Sequence, residues 1–228
     1  MEWIRNYHLF LFDFDGILVN TEELHFAAYR EMCRARGINL DWDLNTFFQS
    51  AHLSATALRE NLYATFPQLY AQEPRWEVLY DEKKAVYQRL IEKESVKLLP
   101  GVEPLLKALE RAEVCRCVVT HSSKVQVEAI QDQLPLLKTI PRWVTRECYD
   151  KPKPNPESYR KAIEVMGKEG DRIIGFEDSI KGLTALINAG VKDSILVCSS
   201  DHPQMNSPIP QGARHFSSFL EIEKNLFF

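Results

Sequence analysis

Two patterns of apolar residues divide this chain into regions of different structure. Residues 7–14 are aromatic and almost continuously apolar, which is typical of a strand buried on both faces of a parallel sheet. Residues 21–37 carry apolar side chains at helical spacing and end in Gly37, a residue that suits a helix C-terminus. From residue 98 onward helical and strand-like segments alternate, which predicts an α/β fold with a doubly wound, Rossmann-like parallel sheet.

The alternating region is predicted to contain both helices and strands as far as the C-terminus. In chain order these are helix 102–111, strand 114–120, helix 123–134, strand 142–145, helix 156–166, strand 172–176, helix 180–189, strand 194–198 and a short helix at 218–226.

Residues 21–97 interrupt this alternation with helical patterns alone. Further helices are predicted at 45–50, 54–66 and 75–94, with Pro67 and Pro74 separating the last two. The apolar stripe of the last helix includes Trp76 and Leu90, and it favours packing in a bundle over binding of an aromatic ligand. We therefore predict an α/β core, residues 1–20 and 98–228, with a helical cap, residues 21–97, inserted after the first strand.

Composition narrows the class of partner. The 228 residues are 45% hydrophobic and 26% charged, as in an ordinary soluble globular protein. A net charge of -4 argues against nucleic acid or an anionic membrane as the main partner. Five cysteines without a Cys-x-x-Cys pair predict buried structural thiols. Because no signal-type or membrane-spanning segment is found, we expect a cytoplasmic protein. Its size and charge are compatible with either a monomer or a homodimer.

Chemically active residue types follow four of the predicted strands. Ligands of an open parallel sheet bind beyond the carboxyl ends of its strands, so these residues are expected to meet at one edge. A polar residue at a single strand end could simply belong to an exposed loop, but this explanation fits poorly when four strand ends all carry such residues. The residues are Asp13, Asp15 and Gly16 after the first strand, Thr120, His121 and Ser122 after the second, Lys151 after the third, and Glu177 and Asp178 after the fourth.

Four segments carry a resemblance to a known family. They are FDFDGILVNTEELH, VVTHSS, KPKPNPESY and GFEDSIKGLTALINAG, in that order along the chain. The sequence resembles the haloacid dehalogenase superfamily over essentially its whole length, and specifically the branch with a helical cap after the first strand, which includes β-phosphoglucomutase-like phosphatases. This resemblance implies phosphoryl transfer.

The resemblance assigns roles to the two aspartates. Asp13 would attack phosphorus and form an aspartyl-phosphate, while Asp15 would protonate the leaving alkoxide and later deprotonate water. A two-residue step along extended backbone places both carboxylates on the same side.

The same resemblance implies Mg²⁺ as cofactor, since this hard cation prefers oxygen ligands and would reduce repulsion between carboxylate and phosphate. The ligands would be Asp13, the backbone carbonyl of Asp15 and Asp178. Glu177 would be either a direct ligand or an acceptor behind the ligands.

The lysines are assigned from the resemblance and from their position. Lys151 would set a positive charge against the nucleophile and the phosphate, whereas Lys153 matches no fixed motif position and is expected to be solvated. The lysines of the cap, among them Lys83, lie on helix faces that suggest solvent exposure. This argues against a phosphonatase, which needs a Schiff-base lysine there.

Substrate contacts are expected at five further positions. The hydroxyl of Thr120 and the backbone N–H groups of Gly16 and His121 would hold phosphoryl oxygens. Ser122 would either cap the following helix or contact phosphate. His25 would lie near the leaving group or on an ordinary helix surface.

Three departures from the family pattern affect the prediction of activity. Asn20 stands where an Asp is usual, and His121 replaces a common Asn. The cap also lacks the Gly-Arg-Ser-type pattern of sugar-phosphate mutases, with His52, Arg59 or another cap residue as candidate substitutes. We therefore predict a Mg²⁺-dependent phosphatase for a small phosphorylated metabolite such as a sugar phosphate. The alternatives are a β-phosphoglucomutase-like mutase and a catalytically silent phosphate-binding module.

Overall fold

A computed structural model describes residues 1–53 and 56–225, and its centre is a sheet of parallel strands. The order across the sheet is β3-β2-β1-β4-β5-β6, so the chain leaves β1 in both directions and the fold is a doubly wound α/β sheet. The strands are β1 (Leu9–Phe12), β2 (Cys115–Val119), β3 (Arg142–Val144), β4 (Ile173–Glu177), β5 (Asp193–Val197) and β6 (Arg214–Phe216).

Helices connect these strands or lie in the insertion after β1. They are α1 (Glu22–Ala35), α2 (Leu44–Leu53), α3 (Ala57–Thr65), α4 (Pro67–Gln72), α5 (Trp76–Lys93), α6 (Val102–Arg111), α7 (Lys124–Gln133), α8 (Glu157–Met166), α9 (Ile180–Asn188) and α10 (Phe219–Asn225). Short 3₁₀ helices occupy Glu2–Asn6, Pro135–Thr139, Arg146–Cys148 and Pro203–Asn206.

Two elements were missed by the apolar pattern, and two predicted boundaries cannot be compared. Pro67 starts α4 instead of separating helices, because its missing N–H costs nothing at the first helical position. Strand β6 has the sequence Arg-His-Phe, which is not an apolar run and so gives no strand signal. The predicted helix start at residue 54 and helix end at residue 226 lie outside the described residues.

Strand β1 forms the centre of the α/β core because both of its faces are apolar. Leu9 and Leu11 belong to a buried cluster with Tyr159 of α8 and Leu186 of α9. On the opposite face, Phe12 stacks on the ring of Phe176, with centroids 5.2 Å apart. Burying one such side chain stabilises the fold by roughly 1.5–3 kcal/mol, so these contacts hold β1 between the two layers of helices and side chains.

The chain divides into two compact units, Met1–Asn20 with Val96–Phe228 and Thr21–Ser95. We predicted the second junction two residues later, at 97/98. At the base of the α/β unit, Asn20 Oδ1 accepts a hydrogen bond from the Lys97 N–H at 2.7 Å. The Asn20 N–H donates to the Lys97 carbonyl at 3.1 Å. The two chain segments that lead to the helical unit are therefore fastened to each other.

The helical unit has an aromatic core of its own. Phe26 of α1 stacks on Phe47 of α2 with centroids 5.0 Å apart, and Tyr29 stacks on Trp76 of α5 at 6.1 Å. Trp76 thus belongs to the packing of the bundle, as the apolar stripe predicts. Lys83 of α5 is only 3% exposed, so the prediction that this lysine is solvated was wrong.

The cysteines differ in exposure. Cys33 and Cys117 are buried, whereas Cys115 and Cys148 are exposed, so the prediction of buried thiols holds for only part of the set. Among the described residues, none of the helices has the length and apolar character needed to cross a membrane.

Candidate active site

Three carboxylates meet at the carboxyl edge of the sheet. Asp13 directly follows β1, Glu177 ends β4, and Asp178 follows it. One oxygen from each lies within 4.8 Å of the others. The backbone N–H of Asp13 donates to the Phe176 carbonyl at 2.9 Å, which extends the β1–β4 pairing by one residue and fixes where the acids lie.

Lys153 is the cation between two of these acids. Its ammonium nitrogen lies 2.9 Å from Asp13 Oδ1, 2.7 Å from Glu177 Oε1 and 2.9 Å from the carbonyl of Val119. The side chain is 2% exposed, so the prediction that Lys153 is solvated was wrong.

Lys151 therefore does not take the position that the resemblance gave it. Its side chain is exposed, and its backbone N–H donates to Glu157 Oε2 at 2.9 Å. The segment KPKPNP offers two Lys-Pro pairs, and motif matching alone cannot separate them. Counting back from α8 would have helped, because Lys153 lies two residues nearer than Lys151 to the buried Tyr159.

Charge and burial together shift the pKa values of the ionisable groups in this cluster. Burial and the neighbouring Glu177 carboxylate raise the pKa of Asp13, and Lys153 lowers it only in part. Burial by itself would lower the pKa of Lys153, but the Asp13 and Glu177 carboxylates raise it by more. The pKa of Lys153 therefore lies above the usual range, and the lysine stays protonated. Burial lowers the pKa of Lys181, in the first turn of α9, below its usual value, and Asp178 offsets only part of this shift.

Glu177 is fully buried and enclosed on several sides. The hydroxyl of Tyr159, on α8, donates to Glu177 Oε1. A Cβ atom at Gly182 would lie 2.0 Å from Glu177 Oε2, so only glycine lets α9 approach this carboxylate. The sequence analysis missed Tyr159, whose signal is its place on the apolar face of α8.

The residues present fit a divalent cation. Carboxylate oxygens are the donors that Mg²⁺ prefers, and Glu177 Oε2 is a buried oxygen without a hydrogen-bond partner among the described residues. Within the described part of the chain, the two donors to the Asp13 side chain are the Lys153 ammonium and the Phe14 N–H. Both use Oδ1, which leaves Oδ2 available.

Asp15 faces the loop that follows β2. Ser122 donates its hydroxyl to Asp15 Oδ2 at 2.7 Å, and Thr120 Oγ1 lies 3.4 Å from the same oxygen. Ser122 does not cap the following helix, because Ser123 and Gln126 form the capping box of α7. The structure thus brings Asp15, Thr120 and Ser122 together. Of the two roles predicted for Ser122, that of a helix cap is wrong.

The two backbone N–H groups expected to bind phosphate differ in availability. Gly16 has a φ of +74°, which favours glycine, and its N–H already donates to the Val19 carbonyl at 3.0 Å. In this structure the Gly16 N–H is therefore engaged within the chain, and its contact with phosphate stays a prediction. The His121 N–H has no hydrogen-bond partner among the residues that the structure describes, so it remains a candidate phosphate donor.

The candidate residues of the helical unit have partners within that unit. His25 lies 4.0 Å from the Tyr87 ring, stacked on it, and its Nδ1 atom lies 2.5 Å from the Lys83 ammonium. His25 is therefore not an ordinary surface histidine. His52 contacts Glu22 at 3.1 Å and Arg59 contacts Glu60 at 3.6 Å, which weakens both as grips for a second phosphate.

A doubly wound sheet with perturbed ionisable groups at its carboxyl edge is typical of α/β enzymes. A family model of haloacid dehalogenase-like hydrolases matches residues 7–190. The chain belongs to this family and is a hydrolase.

Similar proteins agree with this assignment. The chain is 30% identical over 194 residues to Protein CbbY of Cereibacter sphaeroides, a match that covers 80% of each protein. It is 27% identical over 185 residues to a phosphorylated carbohydrates phosphatase of Thermotoga maritima, covering 80% of this chain and 81% of that one.

Solved structures share the fold. CbbY from Rhodobacter sphaeroides, crystallised in complex with xylulose-(1,5)bisphosphate, superimposes with a TM-score of 0.76 at 22% identity, covering 95% of this chain and 96% of that one. At this level of identity the likeness shows the fold alone.

Proposed function

We propose that this hydrolase is a Mg²⁺-dependent phosphatase that cleaves a small phosphorylated sugar through an aspartyl-phosphate at Asp13. The observation that carries the proposal is the Asp13 carboxylate itself. One of its oxygens lies against a buried, protonated lysine, while the other accepts no hydrogen bond from the residues that the structure describes. Its side chain is 14% exposed, whereas that of Glu177 is completely buried, so Asp13 is the acid that a substrate can reach.

Asp13 would act as the nucleophile. A bond forms between one carboxylate oxygen of Asp13 and phosphorus, and the bond from phosphorus to the sugar oxygen breaks. Lys153 keeps the two carboxylates in place, because its ammonium forms ion pairs with Asp13 and Glu177 at the same time. Its fixed positive charge also favours the approach of an anionic phosphoryl group.

Asp15 would transfer the protons. It would give one to the departing sugar oxygen and then take one from the water that hydrolyses the aspartyl-phosphate. The hydroxyl of Ser122 orients its carboxylate at 2.7 Å, and the Thr120 hydroxyl and His121 N–H would contact phosphoryl oxygens. Asp13, Asp178, the Asp15 carbonyl and Glu177 would hold Mg²⁺, which when bound supplies charge neutralisation for carboxylate and phosphate.

The substrate class comes from the relatives. One of them is named a phosphorylated carbohydrates phosphatase, and another, CbbY, was crystallised with a sugar bisphosphate. A phosphorylated sugar is therefore the first class to test, and a mutase is disfavoured because His52 and Arg59 have other partners.

A screen of phosphate monoesters with Mg²⁺ tests the proposal. We expect phosphate release by the wild-type protein from at least one sugar phosphate, loss of release on chelation of the metal, and no release by Asp13→Asn. Sugar rearrangement without net phosphate release would favour the mutase. Negligible and equal release by both proteins would favour a silent binding module.

A further inference from the structure

The backbone of Lys153 is held by a side chain from another loop. Its N–H donates to His121 Nε2 at 3.0 Å. Lys153 lies in the loop between the 3₁₀ helix Arg146–Cys148 and α8, where it belongs to no helix or strand that could pair its backbone. His121 lies in the loop after β2, next to Thr120.

The position of this backbone decides whether the lysine can act. The three hydrogens of the Lys153 ammonium face three acceptors, from Val119, Asp13 and Glu177, all within 2.9 Å. A fully paired ammonium has one position, so a shift of the loop would break at least one of these contacts.

The imidazole of His121 is suited to accept this hydrogen bond. A ring nitrogen that accepts carries no proton, so the neutral ring has its proton on Nδ1. Burial lowers the pKa of His121 well below its usual value, and Lys153, Lys181 and Arg146 lower it further, while Asp15 raises it. The ring therefore stays neutral and Nε2 stays an acceptor at ordinary pH.

Neighbouring contacts tie the same two loops together at other points. The Tyr149 hydroxyl donates to the Thr120 carbonyl at 2.9 Å, and the Arg146 N–H donates to the Ser122 carbonyl at 3.1 Å. Of these links, the one from His121 reaches the lysine itself.

We propose that His121 is a positioning residue, whose Nε2 atom fixes the backbone of Lys153 so that the ammonium spans Asp13 and Glu177. The inference rests on the proposed phosphatase function. It gives the His121 side chain a role separate from that of its own backbone N–H. An asparagine here would not reach as far, since its amide oxygen and nitrogen end near the positions of Nδ1 and Cδ2, short of Nε2.

Two variants of His121 form a matched pair. In His121→Gln the side-chain oxygen can reach the place of Nε2, whereas in His121→Asn it cannot. We expect the Asn variant to lower kcat roughly 10- to 100-fold through misplacement of Lys153, with little change in KM. The Gln variant should recover most of this loss. Equal kcat values for the two variants would overturn the proposal.

A double-mutant cycle with Lys153→Met tests whether His121 acts through the lysine. In the Lys153→Met background, His121→Asn should cause no further fall in kcat, because the lysine to be positioned is gone. Independent, additive losses would contradict a positioning role. Thermal unfolding of each variant separates these effects from a general loss of stability.

Hydrogen exchange of the Lys153 amide provides a readout that needs no activity. The amide should be protected in the wild-type protein and in His121→Gln, and exchange faster in His121→Asn. Unchanged exchange in the Asn variant would overturn the inference about His121. Absence of phosphate release by the wild-type protein, with the exchange pattern as expected, would instead overturn the proposed function and leave the contact as a structural one.

Discussion

The two ends of the same parallel sheet treat charge in opposite ways. At the amino end, Asp193 at the start of β5 pairs with Arg172 at 3.3 Å and with Arg214 at 3.1 Å. Both arginine side chains are more than 40% exposed to solvent. At the carboxyl end, Lys153 and Glu177 form their ion pair with almost no exposure.

The comparison shows where the fold tolerates an energetic cost. Exposed ion pairs such as those of Asp193 contribute little, since water solvates the separated charges almost as well. Removing charges from water at the carboxyl end is expensive and is recovered only with good geometry and further hydrogen bonds. Acids that are kept buried together, with perturbed pKa values, are typical of a site that performs chemistry. Substitutions at the two ends should therefore have very different effects.

Lys153 gives the largest expected effect. Lys153→Met leaves Asp13 and Glu177 facing each other without their cation, so we expect kcat to fall by at least about 100-fold. The protein should also unfold more easily, because breaking one side of a buried pair costs about 3–5 kcal/mol. Lys151→Met is the matched control, with both properties near wild type. Steady-state kinetics and chemical denaturation measure the two, and a larger loss in the Lys151 variant would contradict the assignment.

Glu177 tests how the metal would be held. Glu177→Gln keeps the shape of the side chain and its contact with Tyr159 but removes a charge, so Mn²⁺ or Mg²⁺ affinity should fall by about 10- to 100-fold. Isothermal titration calorimetry of the metal alone measures this without any substrate. Unchanged affinity would show that Glu177 takes no part in holding the ion.

The pKa of Asp13 predicts how metal binding depends on pH. Burial and Glu177 raise this pKa, so the metal-free protein keeps the Asp13 proton to higher pH than a free carboxyl would. Metal must displace that proton, and below the raised pKa the affinity should fall by roughly tenfold per pH unit. Titrations in buffers of different ionisation enthalpy report the proton released. Affinity that is independent of pH between 5 and 8 would contradict the shift.

Asp193 gives the smallest expected effect. Asp193→Asn removes the exposed pairs at the amino end, and we expect a change in unfolding free energy of at most about 1 kcal/mol. The kcat should stay at the wild-type level, since this end of the sheet lies away from Asp13 along β1. A large loss of activity would remove the contrast between the two ends.

Much of the fold could be predicted from the sequence because its strands are continuous apolar runs with polar residues at their ends. The run before Asp13 and the one before Glu177 mark the two central strands of the sheet. Strand β6 could not be found this way, since its sequence Arg-His-Phe contains a single apolar residue.

The candidate site was predictable for the acids and less so for their partners. Asp13, Asp15 and Asp178 follow strands, so their place depends on the sheet. The choice between Lys151 and Lys153 depends on how an irregular loop turns, and the link from His121 depends on two loops at once. Side-chain contacts between loops leave no local pattern in a sequence.

The most direct test of the account is to locate the phosphoryl group on the protein. Acid quenching during turnover of a sugar phosphate, followed by borohydride reduction and peptide mass spectrometry, would convert an aspartyl-phosphate to homoserine. We predict that homoserine appears at position 13 and only when substrate is present. Reduction at another residue, or none at all in a protein that releases phosphate, would contradict Asp13 as the nucleophile.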